Sequence, residues 1–242
     1  MNNIKLALKK SKLKGFWSLI PSITVSEILS LSGSDFLILD MEHGNFSKKD
    51  INACISACKI NNCYSIVRVP LVDKTNIQSA LDSGCSGIIF PKISNKSEAE
   101  ESVSLCEFPP KGKRGFNPFT RFNQYNQSSK RIDPLVKIII IETIEGINNL
   151  DEILSVKEID GVYLGVYDLS KDYNVKSVEN KNLIKIIENY LKKINFYKKF
   201  SGLMINNKSS LKLAKKYKSN FLVFSVDSEI LGSAAKKKLN SY

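Results

Sequence analysis

Short apolar runs and longer amphipathic stretches alternate along the whole chain. The runs at residues 16–20, 36–40, 65–69, 87–91, 136–142, 161–165, 201–205 and 221–226 are rich in Ile, Leu, Val and Phe and have the length of strands. Between them, residues 24–31, 48–60, 75–83, 96–106, 147–155, 182–195, 208–217 and 228–239 carry apolar side chains at helical spacing. Stretches such as 88–90 and 138–141 are apolar at consecutive positions, as in strands buried on both faces. Eight strands alternating with eight helices in 242 residues predict an α/β fold of the (β/α)8 or TIM barrel class. Residues 5–13 read as an extra N-terminal helix closing the barrel floor. With no linker, repeat or low-complexity tract, a single domain over 1–242 is expected.

One segment breaks the rhythm. Residues 108–131 hold Pro109, Pro110, Gly112, Gly115, Pro118 and several aromatic side chains, and a connection this long inside a compact domain is usually functional. It reads as an elaborated loop between the fourth and fifth barrel units, in which Phe116, Phe119, Arg121, Phe122 and Tyr125 either build a pocket or pack on the barrel.

The net charge of +12 points first to an anionic macromolecule. Its lysines, however, cluster at Lys5–Lys14, Lys212–Lys218 and Lys236–Lys238, all in segments that read as helices, without aromatics spaced to stack bases. The charge therefore reads as solvated helix faces, and neither a nucleic-acid nor a membrane partner is expected. No apolar run reaches the roughly 18 residues of a membrane span. Cys54, Cys58, Cys63, Cys85 and Cys106 are odd in number, no secretory leader precedes them, and His43 is the chain's sole histidine. They read as small buried side chains in a reducing, cytoplasmic protein rather than as a zinc cluster.

In a barrel of this kind the chemistry collects at the C-terminal ends of the strands. There the chain places Asp40, Glu42, His43 and Gly44, then Arg68, Lys92, Glu142, Asp168, Asn206 and Asp227. Glu142 and Asp168 supply two hard oxygen donors that suit Mg²⁺ or Mn²⁺ better than zinc, or else are simply loop carboxylates. His43, three residues after Asp40, is close enough for a carboxylate to orient its imidazole for proton transfer. Arg68 can hold a substrate carboxylate or make a structural ion pair.

Together, Leu39-Asp40-Met41-Glu42-His43-Gly44, Val67-Arg68-Val69-Pro70, Leu81-Asp82 with Gly84, Pro109-Pro110-Lys111-Gly112-Lys113-Arg114-Gly115, Ile141-Glu142-Thr143 and Asp168-Leu169-Ser170 resemble the HpcH/HpaI aldolase family. The motifs come in family order over essentially the whole chain. The resemblance implies a metal-dependent pyruvate aldolase, an aldehyde-lyase acting on a 4-hydroxy-2-oxo acid of the deoxy sugar acid or hydroxy-diacid type. By motif, Glu142 and Asp168 hold the divalent cation (Mg²⁺, Mn²⁺ or Co²⁺), Arg68 stabilises the enolate charge, and His43, oriented by Asp40, is the base at the C4 hydroxyl. Trp17 and Tyr167 join Arg68 and Asp168 as substrate-binding candidates. Asp82 matches a position that approaches a neighbouring subunit's site, which implies a homo-oligomer, by resemblance a hexamer.

The chain departs from the pattern at Ile140, where the family commonly has Gln, at Val166, where it has Pro, and at Ser225, where Gly is expected; these changes touch the surroundings of the metal and the substrate rim. Three other readings compete. Lys92 can be a Schiff-base lysine, the chain can be an acyl-CoA ester lyase of the citrate-lyase-like branch, or the barrel can serve binding or assembly without catalysis.

Overall fold

The computed structural model describes residues 3–128 and 135–241. Eight parallel strands, β1 (Leu13–Ser18), β2 (Phe36–Asp40), β3 (Tyr64–Arg68), β4 (Gly87–Phe90), β5 (Val136–Ile141), β6 (Gly161–Leu164), β7 (Phe200–Met204) and β8 (Phe221–Val226), pair in sequence order and close on themselves. The expected (β/α)8 barrel is formed.

Successive strand residues point alternately into the barrel and out to the helices. Phe36, Ile38, Ile66, Ile89, Val136, Ile138, Ile140, Tyr163, Phe221 and Val223 fill the interior, while Leu37, Leu39, Val67, Ile139 and Ile141 pack under the helical layer. Large inward aromatics need room opposite them. A Cβ on Gly202 would sit 1.9 Å from the Phe221 ring, so only glycine fits there.

The N-terminal helix α1 (Ile4–Lys10) seals the floor. Asn3 caps it by accepting from the Lys5 and Leu6 amides, and Ile4 and Leu8, one turn apart, insert into the interior cluster. The other helices are α2 (Ile23–Leu31), α3 (Lys48–Ile60), α4 (Lys74–Asp82), α5 (Lys96–Ser104), α6 (Ile144–Asn148), α7 (Leu150–Leu154), α8 (Val166–Asp172), α9 (Lys181–Phe196), α10 (Lys208–Lys216) and α11 (Asp227–Leu239).

Three differences from the sequence expectation have local causes. Strand β1 begins at Leu13 rather than 16, because Leu13 pairs with Phe221 of β8 and Gly15 with Phe36 of β2. Asn149 splits the helix expected over 147–155 into α6 and α7. Helix α8 has seven residues and no side-chain cap, so it carried no start signal.

The loop from residue 108 onward follows α5 and precedes β5, which puts it at the N-terminal ends of the strands, opposite the strand ends where chemistry was sought. The Arg114 guanidinium lies between the Phe108 and Phe122 rings (4.7 and 4.0 Å) and donates to Asp82 at 2.9 Å; Arg121 donates to the Asn52 carbonyl at 2.8 Å. Phe108 and Phe122 pack against Arg114, whereas Phe116, Phe119 and Tyr125 are more than half exposed, and none of the described aromatics of this segment lines the strand-end cavity. The end of the segment, including Arg131, lies outside the described residues. All five cysteines are buried and free, and no described helix is long and apolar enough to cross a membrane.

Candidate active site

The inward rows end in charge. Phe36, Ile38 and Asp40 form one row, Ile66 and Arg68 the next, and Val136, Ile138, Ile140 and Glu142 a third, so the alternation that fills the core also aims these polar groups at the barrel axis. Asp40 and Arg68 are register partners in the β2–β3 ladder, and both are buried.

Asp40 is saturated. One oxygen accepts from Arg68 Nε at 2.8 Å and from the amides of Glu42 (2.8 Å) and His43 (3.1 Å); the other takes Trp17 Nε1 at 2.7 Å and a second Arg68 nitrogen. The expected Asp40–imidazole bond is therefore replaced. Asp40 receives the His43 backbone amide, and the carboxylate orients Arg68 instead. The Arg68 guanidinium lies 4.9 Å from the Trp17 ring centroid, and its Nη1 forms an ion pair with Glu42 Oε2 at 3.0 Å.

Glu42 continues the chain of contacts, with Oε1 3.1 Å from Lys92 Nζ. Lys92 follows β4 with φ +55°, an uncommon left-handed conformation for a side chain of this size, and its amide donates to Glu142 Oε1 at 3.0 Å. The hydrogen bond and charge of Glu42 push the Lys92 ammonium pKa up. That opposes the deprotonated amine a Schiff base requires.

Glu142 is 7% exposed, and burial first, then the charges of Asp168 and Glu42, raise its pKa to about 7. Gly165 makes space beside it: a Cβ there would stand 2.9 Å from Glu142 Oε2. Asp168 lies in the first turn of α8, and Tyr167 beside it is 54% exposed, with its hydroxyl accepting from Asn206 Nδ2 at 3.4 Å.

A cavity of about 210 Å³ opens among these groups, and Trp17, Asp40, His43, Arg68, Glu142, Tyr167 and Asp168 all line it. Of the residues to which the resemblance assigns a catalytic, substrate or metal role, Asp82 alone does not line it, standing at the end of α4 and bound to Arg114; the strand-end candidates Glu42, Gly44, Lys92, Asn206 and Asp227 also lie outside the lining. Unassigned by the sequence reading were the linking roles of Glu42 and Lys92 and the apolar walls Leu19, Met204 and Val226. Inward parity was the available signal for Met204, which follows Gly202 in its row.

No three His, Cys, Asp or Glu side chains form a ready-made metal cage among the described residues. Glu142 and Asp168 nonetheless fit a divalent cation: they are hard oxygen donors on neighbouring units, crowded enough to raise the pKa of Glu142, and two protein ligands leave positions for substrate and water.

The profile described as HpcH/HpaI aldolase/citrate lyase matches residues 14–207. The chain is 26% identical to a hydroxypyruvate/pyruvate aldolase of Roseovarius nubinhibens, covering 98% of this chain and 95% of the relative. It is 27% identical to a 5-keto-4-deoxy-D-glucarate aldolase of Escherichia coli, covering 100% and 96%. Among solved structures, an HpcH/HpaI aldolase/citrate lyase family protein from Burkholderia cenocepacia superposes with a TM-score of 0.92 at 21% identity, covering 100% and 99%.

Proposed function

The chain belongs to the HpcH/HpaI aldolase/citrate lyase family, and from that premise we propose that it is an aldehyde-lyase. It cleaves a 4-hydroxy-2-oxo acid to pyruvate and an aldehyde, or joins the two, on one barrel domain. The observation that carries this reading is the convergence of a buried, doubly anchored Arg68 with Glu142, Asp168 and His43 on one cavity.

Glu142 and Asp168 would hold a divalent cation, which when bound supplies Lewis-acid polarisation of a 2-oxo acid. Arg68, fixed by Asp40, Glu42 and Trp17, presents positive charge to the keto oxygen as the C3–C4 bond breaks and negative charge develops there. Its anchors are already in place, so that charge needs no reorganisation. His43 takes the proton from the C4 hydroxyl in cleavage and returns it in condensation. His43 is exposed to solvent while lining the cavity. The Lys92 amide holds the Glu142 carboxylate at one oxygen, leaving the other toward Gly165.

A homo-oligomer is part of the same proposal. Its support is α11, which is exposed along nearly its whole length, with Leu231 and Leu239 presented to solvent.

Pyruvate release from 4-hydroxy-2-oxo acids, coupled to lactate dehydrogenase, tests the reading. Turnover that Mg²⁺, Mn²⁺ or Co²⁺ supports and a chelator abolishes is expected. No release from any such acid with any of these metals refutes it.

A further inference from the structure

Tyr163 points into the barrel from β6, and its register partners are Ile140 on β5 and Gly202 on β7. It therefore stands one inward layer below Glu142, between two residues whose side chains offer no hydrogen bond. Its ring is held by Trp17, 5.1 Å away between centroids, and by stacking on Phe221 at 6.1 Å. The hydroxyl makes no hydrogen bond to any described residue. Tyr190 and Tyr217 also carry unbonded hydroxyls, but those are sealed in packing. That of Tyr163 is not sealed, and Tyr163 lines the cavity although the residue is only 5% exposed. A phenol that is fixed by its ring, starved of partners and open to a cavity is placed to bond with what the cavity holds.

The depth matters for what can reach it. A neighbouring subunit meets the barrel at its rim, while α1 closes the floor, so the hydroxyl is approached from within the cavity. Tyr167 supplies the cavity's other hydroxyl, but it is at the rim and already bonded to Asn206. The Trp17 ring has Tyr163 on it at 5.1 Å and the Arg68 guanidinium at 4.9 Å, which makes phenol and guanidinium neighbours around one indole. Arg68 spends one N–H from each of its three nitrogens on Asp40 and Glu42, and two of its five remain for a ligand. Burial raises the Tyr163 pKa against the opposing pull of the Arg68 charge, so the phenol keeps its proton at neutral pH and is a donor.

Resting on the aldolase reading above, we propose that Tyr163 is a catalytic residue, whose O–H donates to the keto oxygen of the 2-oxo acid together with the unspent N–H groups of Arg68. Negative charge builds on that oxygen as the C3–C4 bond breaks and the enolate forms. A hydrogen bond to it strengthens along the way, and so favours the transition state over the bound acid. The phenol gives up no proton. It holds its hydrogen bond while the proton of the C4 hydroxyl moves to His43. Because the same enolate forms when the methyl protons of pyruvate exchange with water, Tyr163 serves both reactions, whereas His43 serves cleavage alone.

Tyr163→Phe removes the oxygen and keeps the ring against Trp17 and Phe221. In the Mn²⁺-supplemented full chain, kcat and kcat/KM for cleavage should fall together by about 10²-fold, and pyruvate methyl-proton exchange should fall by a similar factor. Oxalate, a planar dianion shaped like the pyruvate enolate, should bind the variant about ten-fold more weakly by calorimetry, with a smaller change for pyruvate. The Tm of the metal-free protein should hold, since the lost hydroxyl has no partner in the fold. Unchanged cleavage and exchange, a loss confined to KM, equal weakening of oxalate and pyruvate, or a Tm lower by more than about 3 °C overturns the assignment of Tyr163 but leaves the aldolase reading intact. Absence of cleavage and exchange in the unmodified chain with every acid and metal overturns the aldolase reading and this inference with it.

Discussion

Arg68 meets Asp40 across the β2–β3 ladder in a two-point ion pair that is almost wholly removed from water. Trp17 lies against the guanidinium and donates to the same carboxylate, so the three side chains form one unit at the cavity floor. The unit's geometry is set by strand register rather than by loops, which suits a charge that must be in position before substrate arrives.

Removing one member of this pair leaves the other buried and uncompensated. Asp40→Ala should destabilise the protein by about 3–5 kcal/mol, and the Asp40→Ala, Arg68→Met double variant by less than the sum of the single changes. Denaturant unfolding of the four proteins measures the coupling. Strict additivity would mean that the pair contributes nothing to the fold.

His43→Ala should lower C–C cleavage by about 10²- to 10⁴-fold while sparing exchange of the pyruvate methyl protons, a step that does not involve the C4 hydroxyl. Because Asp40 bonds to the His43 amide and not to its ring, Asp40→Asn should depress both reactions through Arg68. Proton exchange followed by NMR separates the two variants, and equal loss of cleavage and exchange in His43→Ala would remove the histidine from its role.

Much of this site was legible in the sequence, and the physical reasons differ from residue to residue. Asp40, Arg68 and Glu142 terminate apolar strands, so period-two alternation identifies both their position and their inward aim. Partner choice is different. His43 follows Asp40 by three residues, yet the carboxylate goes to Arg68, a residue 28 positions away that becomes its neighbour only through parallel pairing. The link from Lys92 to both Glu42 and Glu142 was equally invisible, since it depends on a positive φ that nothing in Pro91-Lys92-Ile93 announces. The role of the 108–128 segment, left open in the sequence between a pocket and packing on the barrel, turns on topology: a connection that leads from a helix into a strand lies at the barrel's other end, whatever its composition.

Lys92 holds its ammonium against Glu42, which raises its pKa, so the amine required for imine formation is scarce at neutral pH. Borohydride with pyruvate should leave Lys92 unmodified by mass spectrometry, and trapping of an adduct there would replace the metal-assisted reading. Lys92→Gly keeps the amide that Glu142 uses and accommodates φ +55° without strain. It should retain Mn²⁺ binding, whereas Lys92→Pro, which lacks the amide and cannot reach a positive φ, should weaken it.

Glu142 makes stability depend on pH in a stated direction. Its folded pKa of about 7 lies above the ordinary 4.5, so between those values the native state keeps a proton that the unfolded chain has released. The native state binds more protons in that window, and stability falls as pH rises through it. The favourable contribution is complete below about pH 4.5 and gone above about pH 7. Glu142→Gln abolishes this slope: it should match the unmodified metal-free protein near pH 4 and exceed it at pH 8. Allowing for the part of the carboxyl that water still screens, the gain should be on the order of 1 kcal/mol, or ~3 °C in Tm for a chain of this length. A divalent cation requires the same carboxylate deprotonated, so Mn²⁺ should raise the Tm of the unmodified protein more at pH 8 than at pH 5. Glu142→Gln and Asp168→Ala should both lose most of that shift. Thermal unfolding across pH, with and without Mn²⁺, checks both halves. A difference between Glu142→Gln and the unmodified protein that does not change with pH would show that the buried carboxyl is not the titrating group, and an undiminished Mn²⁺ shift in both variants would place the cation elsewhere.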